Sequence, residues 1–142
     1  MEFFDVLVRY EVSLWNAVDD ALRRESGLSA AQLQALGVVH RLRGAGRVQD
    51  LSSQIGITVG AASKTVDRLE QDGLVERRRH PTDRRSSIIV LTEAGTRAYQ
   101  KGVTIRAGVF EKVLDPETVR IATESLLALQ SQLDQVGAEV LA

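Results

Sequence analysis

Between Gln49 and Asp72 two short apolar-striped segments are separated only by Gly56-Ile57-Thr58. Few folds accept such an arrangement. The first segment, Gln49 to Ile55, turns Leu51 and Ile55 to one side, and Gly56 supplies a left-handed residue to end it. Thr58 is placed to cap a second helix, in which Ala62, Val66 and Leu69 recur at i, i+4 and i+7 before Gly73 stops it near Asp72. Two helices joined by so tight a turn make a helix-turn-helix. Leu74 to Arg79 and Ser86 to Leu91 then read as strands, the second carrying the β-branched run Ile88-Ile89-Val90. Between them His80-Pro81-Thr82-Asp83-Arg84-Arg85 has the proline and aspartate of a turn. A β-hairpin directly after a helix-turn-helix makes a winged helix. The expected class is mainly α with a small β-hairpin wing.

Longer helices flank this unit. From Glu2 to Glu25, Phe3, Leu7, Tyr10, Leu14, Ala17 and Ala21 form one stripe, and Phe4, Val8, Trp15, Val18 and Leu22 form a second, interrupted by Glu11. The combined face is wider than one partner helix covers. Ser29 with Gln32 forms a capping box for a helix in which Leu33, Leu36 and His40 share a face, before Arg43-Gly44-Ala45-Gly46-Arg47 breaks the pattern. Thr92-Glu93-Ala94-Gly95 opens a helix reaching about Val113, with Gly102 and Gly108 as points for a bend. Asp115 caps a last helix with Pro116 at its first position. There Val119, Ala122, Leu126, Leu129, Leu133, Val136 and Val140 alternate three and four apart, the spacing of a coiled-coil seam. An intramolecular helix pair would use such seams, but the double stripe of the first helix favours a homodimer.

Composition narrows the function classes. The chain has 142 residues, 44% of them apolar, with a net charge of −1, so it can bury a core and is not a disordered segment. It has no cysteine, which excludes disulfides and thiolate metal sites. No apolar run approaches the ~20 residues of a membrane span, and the first residues lack a basic leader; a cytoplasmic protein with no membrane partner is expected. The near-neutral total hides an asymmetry. Gly37 to Leu91 holds ten Lys and Arg against six Asp and Glu, whereas the rest holds eight against thirteen. The winged-helix region is therefore the basic one, and local charge governs binding.

The segment Val48 to Gly95 resembles the MarR (multiple antibiotic resistance regulator) transcription factors. The resemblance rests on Leu69-Glu70, Gly73-Leu74-Val75, Arg77, Asp83 with Arg85, and Leu91-Thr92 with Gly95. The helix order also fits over nearly the whole chain. It implies a homodimeric DNA-binding regulator, a repressor relieved by a small ligand, acting on a pseudo-palindromic operator without a cofactor. Residues 29–94 would be the winged helix-turn-helix, and 1–25 with 95–142 the dimerisation helices, with Phe3, Leu7, Leu126, Leu129, Leu133 and Val136 at the interface. The resemblance also implies a pocket between the dimer helices and the winged helix. Trp15, His40 and Arg97 are the candidates to line it, each offering a polar group beside apolar surface to a small aromatic or lipophilic effector. With no cysteine, this chain departs from the family's peroxide-sensing branch.

The candidate DNA contacts follow from position. With Ala62, Val66 and Leu69 inward, Gly60, Ala61, Ser63, Lys64 and Arg68 face out, small residues allowing close approach and Lys64 suited to a guanine edge or a phosphate. Thr58, at the helix start, suits a phosphate. In the wing, Arg77, Arg79, Arg84 and Arg85 are candidates, with Asp83 expected to hold the Arg85 guanidinium; Arg78 falls on the opposite strand face. An arginine at the turn can enter a narrow minor groove. His40, expected at the core edge, and His80, expected on the wing surface or at a phosphate, are the only histidines, and no carboxylate cluster accompanies either, so no metal site is expected. No catalytic constellation stands out. The alternatives left open are a winged-helix protein-interaction module without DNA, for which the wing arginines have no use, and a metal-sensing winged-helix repressor.

Overall fold

A computed structural model describes residues 2–140, and side chains through residue 137. Six helices and one hairpin follow in the order α1 (Phe3–Ser26), α2 (Ala30–Arg41), α3 (Val48–Ile55), α4 (Val59–Gln71), β1 (Val75–Arg79), β2 (Ser87–Leu91), α5 (Glu93–Val113) and α6 (Pro116–Val140). The chain divides into two compact units, residues 1–107 and 108–142. No helix among the described residues is long and apolar enough to cross a membrane.

The first unit is built around α2, α3, α4 and the hairpin. Leu36, Val38 and Val39 of α2 pack with Leu51 of α3, with Ala62, Val66 and Leu69 of α4, and with Val75 and Ile89 of the two strands. The stripe read from the sequence of α4 is thus its buried face. The turns are made by the residues whose chemistry the turns need. Ser29 accepts from the Gln32 N–H at 3.1 Å while the Gln32 side chain accepts from the Ser29 N–H at 2.9 Å. Gly56, at φ +75°, closes α3, and the Ser52 hydroxyl donates to the Ile57 carbonyl at 2.6 Å to hold the turn. Gly73 ends α4 at φ +71°, its N–H bonding Glu70 O and that of Leu74 bonding Leu69 O.

The strands are antiparallel, pairing Val75 with Leu91, Arg77 with Ile89 and Arg79 with Ser87. The stretch expected only to break α2 does more. Gly46 forms a bridge to Ile89, whose N–H donates to the Gly46 carbonyl at 2.7 Å, so the α2–α3 connection adds a short rung to the wing. The motif pieces around α5 also meet. Thr92 Oγ1 donates to Gly73 O at 2.7 Å and accepts from the Gly95 N–H at 2.9 Å. A Cβ on Gly95 would lie 1.8 Å from the Leu74 carbonyl oxygen, which no side chain tolerates.

No interruption appears where a bend was expected in α5, which runs unbroken through Gly102 and Gly108. Gly102 serves packing instead: a Cβ there would come within 2.5 Å of Leu33 Cδ1. In α1 only Val18, Ala21 and Leu22 are buried, while Phe3 (63%), Phe4 (70%) and Trp15 (39%) remain exposed. In the second unit Asp115 caps α6, accepting from the Thr118 N–H at 2.8 Å. Leu126, Leu129, Leu133 and Val136 of its seam are all exposed. The Val140 side chain lies outside those described.

Candidate nucleic-acid interface

The exposed side of α4 is organised by charge. Gly60, Ala61, Lys64 and Arg68 are exposed there, and Ser63 is half-buried on the flank nearer the wing. Thr58 Oγ1 accepts from the Ala61 N–H at 3.2 Å, so its lone pair caps the helix and its proton is left for an acceptor outside. Val59, exposed at the first turn, is an apolar residue beside the base-reading positions, where it could meet a thymine methyl. Its outward position in the helix stripe was the signal for it.

Two acids on α4 would repel a phosphate backbone, and the wing neutralises both. Arg77 Nη2 reaches Asp67 Oδ1 at 2.6 Å, its Nη1 bonds Glu70, and its backbone N–H donates to Glu70 Oε1 at 3.2 Å. Burial pulls the Arg77 pKa down, but the bonds to Asp67 and Glu70 and their charges outweigh it and hold the guanidinium above its ordinary value. Arg77 was expected among the DNA contacts; its guanidinium is instead engaged within the protein. Asp67 and Glu70 are thereby occupied, and among the described residues neither Lys64 nor Arg68 has a carboxylate partner.

The wing sorts its remaining arginines in the same way. Arg78 pairs with Glu76, two residues before it on the same strand face. Arg79, Arg84 and Arg85 are exposed and form no salt bridge among the described residues. Asp83 does not hold the Arg85 guanidinium. Its Oδ1 accepts from the Arg85 backbone N–H at 3.0 Å, an Asx turn that shapes the wing and leaves the arginine head free.

His80 is half-buried and structural rather than a surface group. Its Nδ1 accepts from the backbone N–H of Thr82 at 3.2 Å and of Asp83 at 3.1 Å, and its Nε2 lies 2.7 Å from Arg47 Nη2. Sequence reasoning missed Arg47. It begins α3, where Asp50 accepts from its N–H at 2.8 Å, and its side chain joins the helix-turn-helix to the wing. The interval of 33 residues between Arg47 and His80 left no local signal.

Among the described residues, the cleft that Arg97 lines includes neither Trp15 nor His40. Arg97 lines a cleft of about 440 Å³ with residues of the α1–α2 turn, Asp72, Leu74, Ala98 and Lys101. His40 is exposed, and its ring lies tilted against Tyr99, which packs on the core, with centroids 4.7 Å apart. Residues two apart on α5 point to opposite sides, which separates Arg97 from the Tyr99–His40 pair. Among the described residues no group of three or more His, Asp or Glu side chains converges as metal ligands would.

Comparison with known proteins places this geometry. The description "MarR family" matches residues 26–86. The chain is 35% identical over 66 residues to the HTH-type transcriptional regulator BilQ of Clostridium symbiosum, covering 46% of each chain, so the match spans about half the length of that relative. Its fold matches CouR of Rhodococcus jostii, solved with p-coumaroyl-CoA, at a TM-score of 0.75 and 24% identity over 86% of each chain. It also matches the S. aureus MepR–DNA complex at a TM-score of 0.81 and 17% identity, covering 93% of this chain and 98% of that one. At such identities the solved structures establish the winged-helix fold. The matching relatives are transcriptional regulators, not enzymes.

Proposed function

We propose that the chain is a MarR-family regulator, as the match over residues 26–86 supports, and that it binds double-stranded DNA sequence-specifically to regulate transcription, acting in the cytoplasm as a homodimer on a pseudo-palindromic operator. The observation that carries this reading is the exposed face of α4. Lys64 and Arg68 stand there without carboxylate partners, while Arg77 has neutralised Asp67 and Glu70. Side chains in the first half of such a helix read base edges in the major groove, and the wing cations Arg79, Arg84 and Arg85 extend the field to the flanking phosphates or minor groove.

The exposed seam of α6 and the apolar first turns of α1 support a second copy as the partner, with residues 29–94 binding DNA and the terminal helices dimerising. Phe3, Leu126, Leu129, Leu133 and Val136 are exposed, and Leu7 half-buried, as a surface awaiting a partner would leave them. Regulation by a small aromatic or lipophilic effector, relieving repression, is supported by relatives such as CouR, solved with p-coumaroyl-CoA. The deciding experiment selects bound fragments from genomic DNA and measures affinity for them against salt. A dimer with ~6–10 phosphate contacts loses roughly 10³–10⁵ in affinity between 50 and 200 mM salt. A monomer, or binding indifferent to salt, would overturn the reading.

A further inference from the structure

On the flank of α4 away from the wing lies a cleft of about 130 Å³, lined by Arg23, Ser29, Ala31, Gln32, Thr65 and Arg68. It is smaller than the ~300–1,000 Å³ of sites for organic ligands. At about 30 Å³ per water it has room for roughly four, the scale of a single phosphate group. Its polar side chains are mostly engaged. Ser29 caps α2, the Gln32 amide donates to Asp72 Oδ2 at 3.1 Å, and the Thr65 hydroxyl donates to the Ala61 carbonyl at 3.0 Å. The start of α2 is already served by Asp19, whose Oδ1 accepts from the Ala30 N–H at 2.7 Å.

What remains is a pair of guanidiniums. Arg68 has no carboxylate partner among the described residues; Asp72, one turn further on, accepts from the Gln32 amide at 3.1 Å, and Asp67 and Glu70 are bonded by Arg77 on the wing side. Arg23 gives only its Nε to Asp19, at 2.6 Å, and that bond orients the rest of the fork. A guanidinium fork matches the spacing of phosphate oxygens. The cleft also continues the surface that meets DNA. Lys64 and Arg68 are one turn apart, so the row that starts over the bases ends beside the cleft. The second half of a recognition helix, with whatever packs beside it, faces the groove wall, and that wall is phosphate.

We propose that this cleft seats one backbone phosphate in each half-site, gripped by Arg68 from α4 and by Arg23 from the last turn of α1. This rests on the DNA-binding reading and adds two things to it. Arg68 becomes a backbone contact rather than a base reader, and α1 becomes part of the DNA interface.

The test compares wild type with Arg23→Gln, Arg68→Gln and the double variant. Binding is measured by fluorescence anisotropy on operator, single-base operator variants and random duplex from 50 to 200 mM salt. One phosphate contributes about 0.9 to the slope of log K against log salt. The double variant is expected to flatten the slope by about one unit per half-site, so its affinity falls about threefold less across that range per half-site. Its ranking of the single-base variants should match wild type. Arg23→Lys with Arg68→Lys, which keeps both charges, should retain the wild-type slope and controls for folding. Replacing operator linkages one at a time by neutral methylphosphonate should reveal one position per half-site that weakens wild type and leaves the double variant indifferent. An unchanged slope in the double variant overturns the seat, as does a loss of two units per half-site, which would mean two separate phosphates in each. An altered base ranking overturns it by making Arg68 a base reader. Wild type that binds no duplex at all would instead sink the DNA-binding reading itself.

Discussion

Helices α4 and α6 carry the same kind of apolar stripe and meet opposite fates. Ala62, Val66 and Leu69 on α4 are completely buried, whereas Leu126, Leu129, Leu133 and Val136 on α6 are exposed, Leu133 at 67%. Periodicity states that a face needs covering; it does not say whether the cover lies in the same chain. The polar faces differ too. On α4 the two acids are removed from play by a strand residue, Arg77, so the exposed side is cationic. On α6 the charges compensate locally, Arg120 bonding both Glu117 and Glu124. One helix therefore has a solved apolar side and an unsolved charged side, and the other has the reverse. Under the proposed function, that contrast is between a helix facing DNA and a helix facing a second copy of the chain.

The largest effects should come from the two apolar stripes, and they should differ in kind. Leu69→Ala leaves a cavity in the core and should cost about 2–5 kcal/mol of unfolding free energy at any protein concentration. Leu133→Asp places a charge on the proposed interface, at several kcal/mol if no partner is near. Its cost should appear as dissociation in sedimentation and as a concentration-dependent melting temperature. If Leu133→Asp remains a dimer that binds operator, the seam is not interfacial and the contrast between the helices fails.

On the charged face, Lys64→Ala should cost about 1–3 kcal/mol, concentrated at one base pair per half-site if the side chain reads a guanine. Arg85→Ala should weaken operator and random duplex alike and flatten the salt slope by about one unit per half-site. Asp83→Ala should give a milder defect, since it loosens the turn that presents Arg85. Wild-type binding by Arg85→Ala would remove the wing from the interface.

Arg77→Ala sharpens the comparison by exposing the acids of α4. Its ion pairs are partly exposed, so folding should lose only about 1 kcal/mol. Operator affinity should fall further, most at low salt, where the freed carboxylates repel phosphates least screened. Adding Asp67→Asn and Glu70→Gln should restore much of the binding. If it does not, Arg77 touches DNA directly, as the sequence alone suggested.

The smallest effect concerns pH. Asp19 has its carboxyl held below the ordinary value by its bond to Arg23 first, against some desolvation, and further by the Ala30 N–H. A depressed folded-state pKa stabilises above the unfolded value, and that contribution disappears as pH falls through the folded one. Asp19→Asn should therefore lower the melting temperature slightly at neutral pH and flatten its decline below about pH 4. Parallel acid limbs for the two proteins would show that the group adds nothing.

Local chemistry was enough for the architecture. Gly56, Gly73, the Ser29–Gln32 box, Thr58, Asp115 and Pro116 each act within a few residues, and apolar spacing marks a helix face without reference to its partner. Those features placed every helix and both strands to within a residue or two, and they placed the candidate contacts on α4 and the wing. Sequence could not rank those contacts, because the ranking depends on groups far apart in the chain. Asp67 and Glu70 meet Arg77 across seven to ten residues, Arg47 meets His80 across 33, and Gln32 meets Asp72 across 40. Gly95 looked like a helix-start residue and Gly102 like a weak point, until Leu74 and Leu33 were seen where a Cβ would have to go. Charge in a sequence is a count, whereas charge available to a ligand is what remains after the fold has paired it. Which cations stay free was decided when strand β1 came to lie against α4.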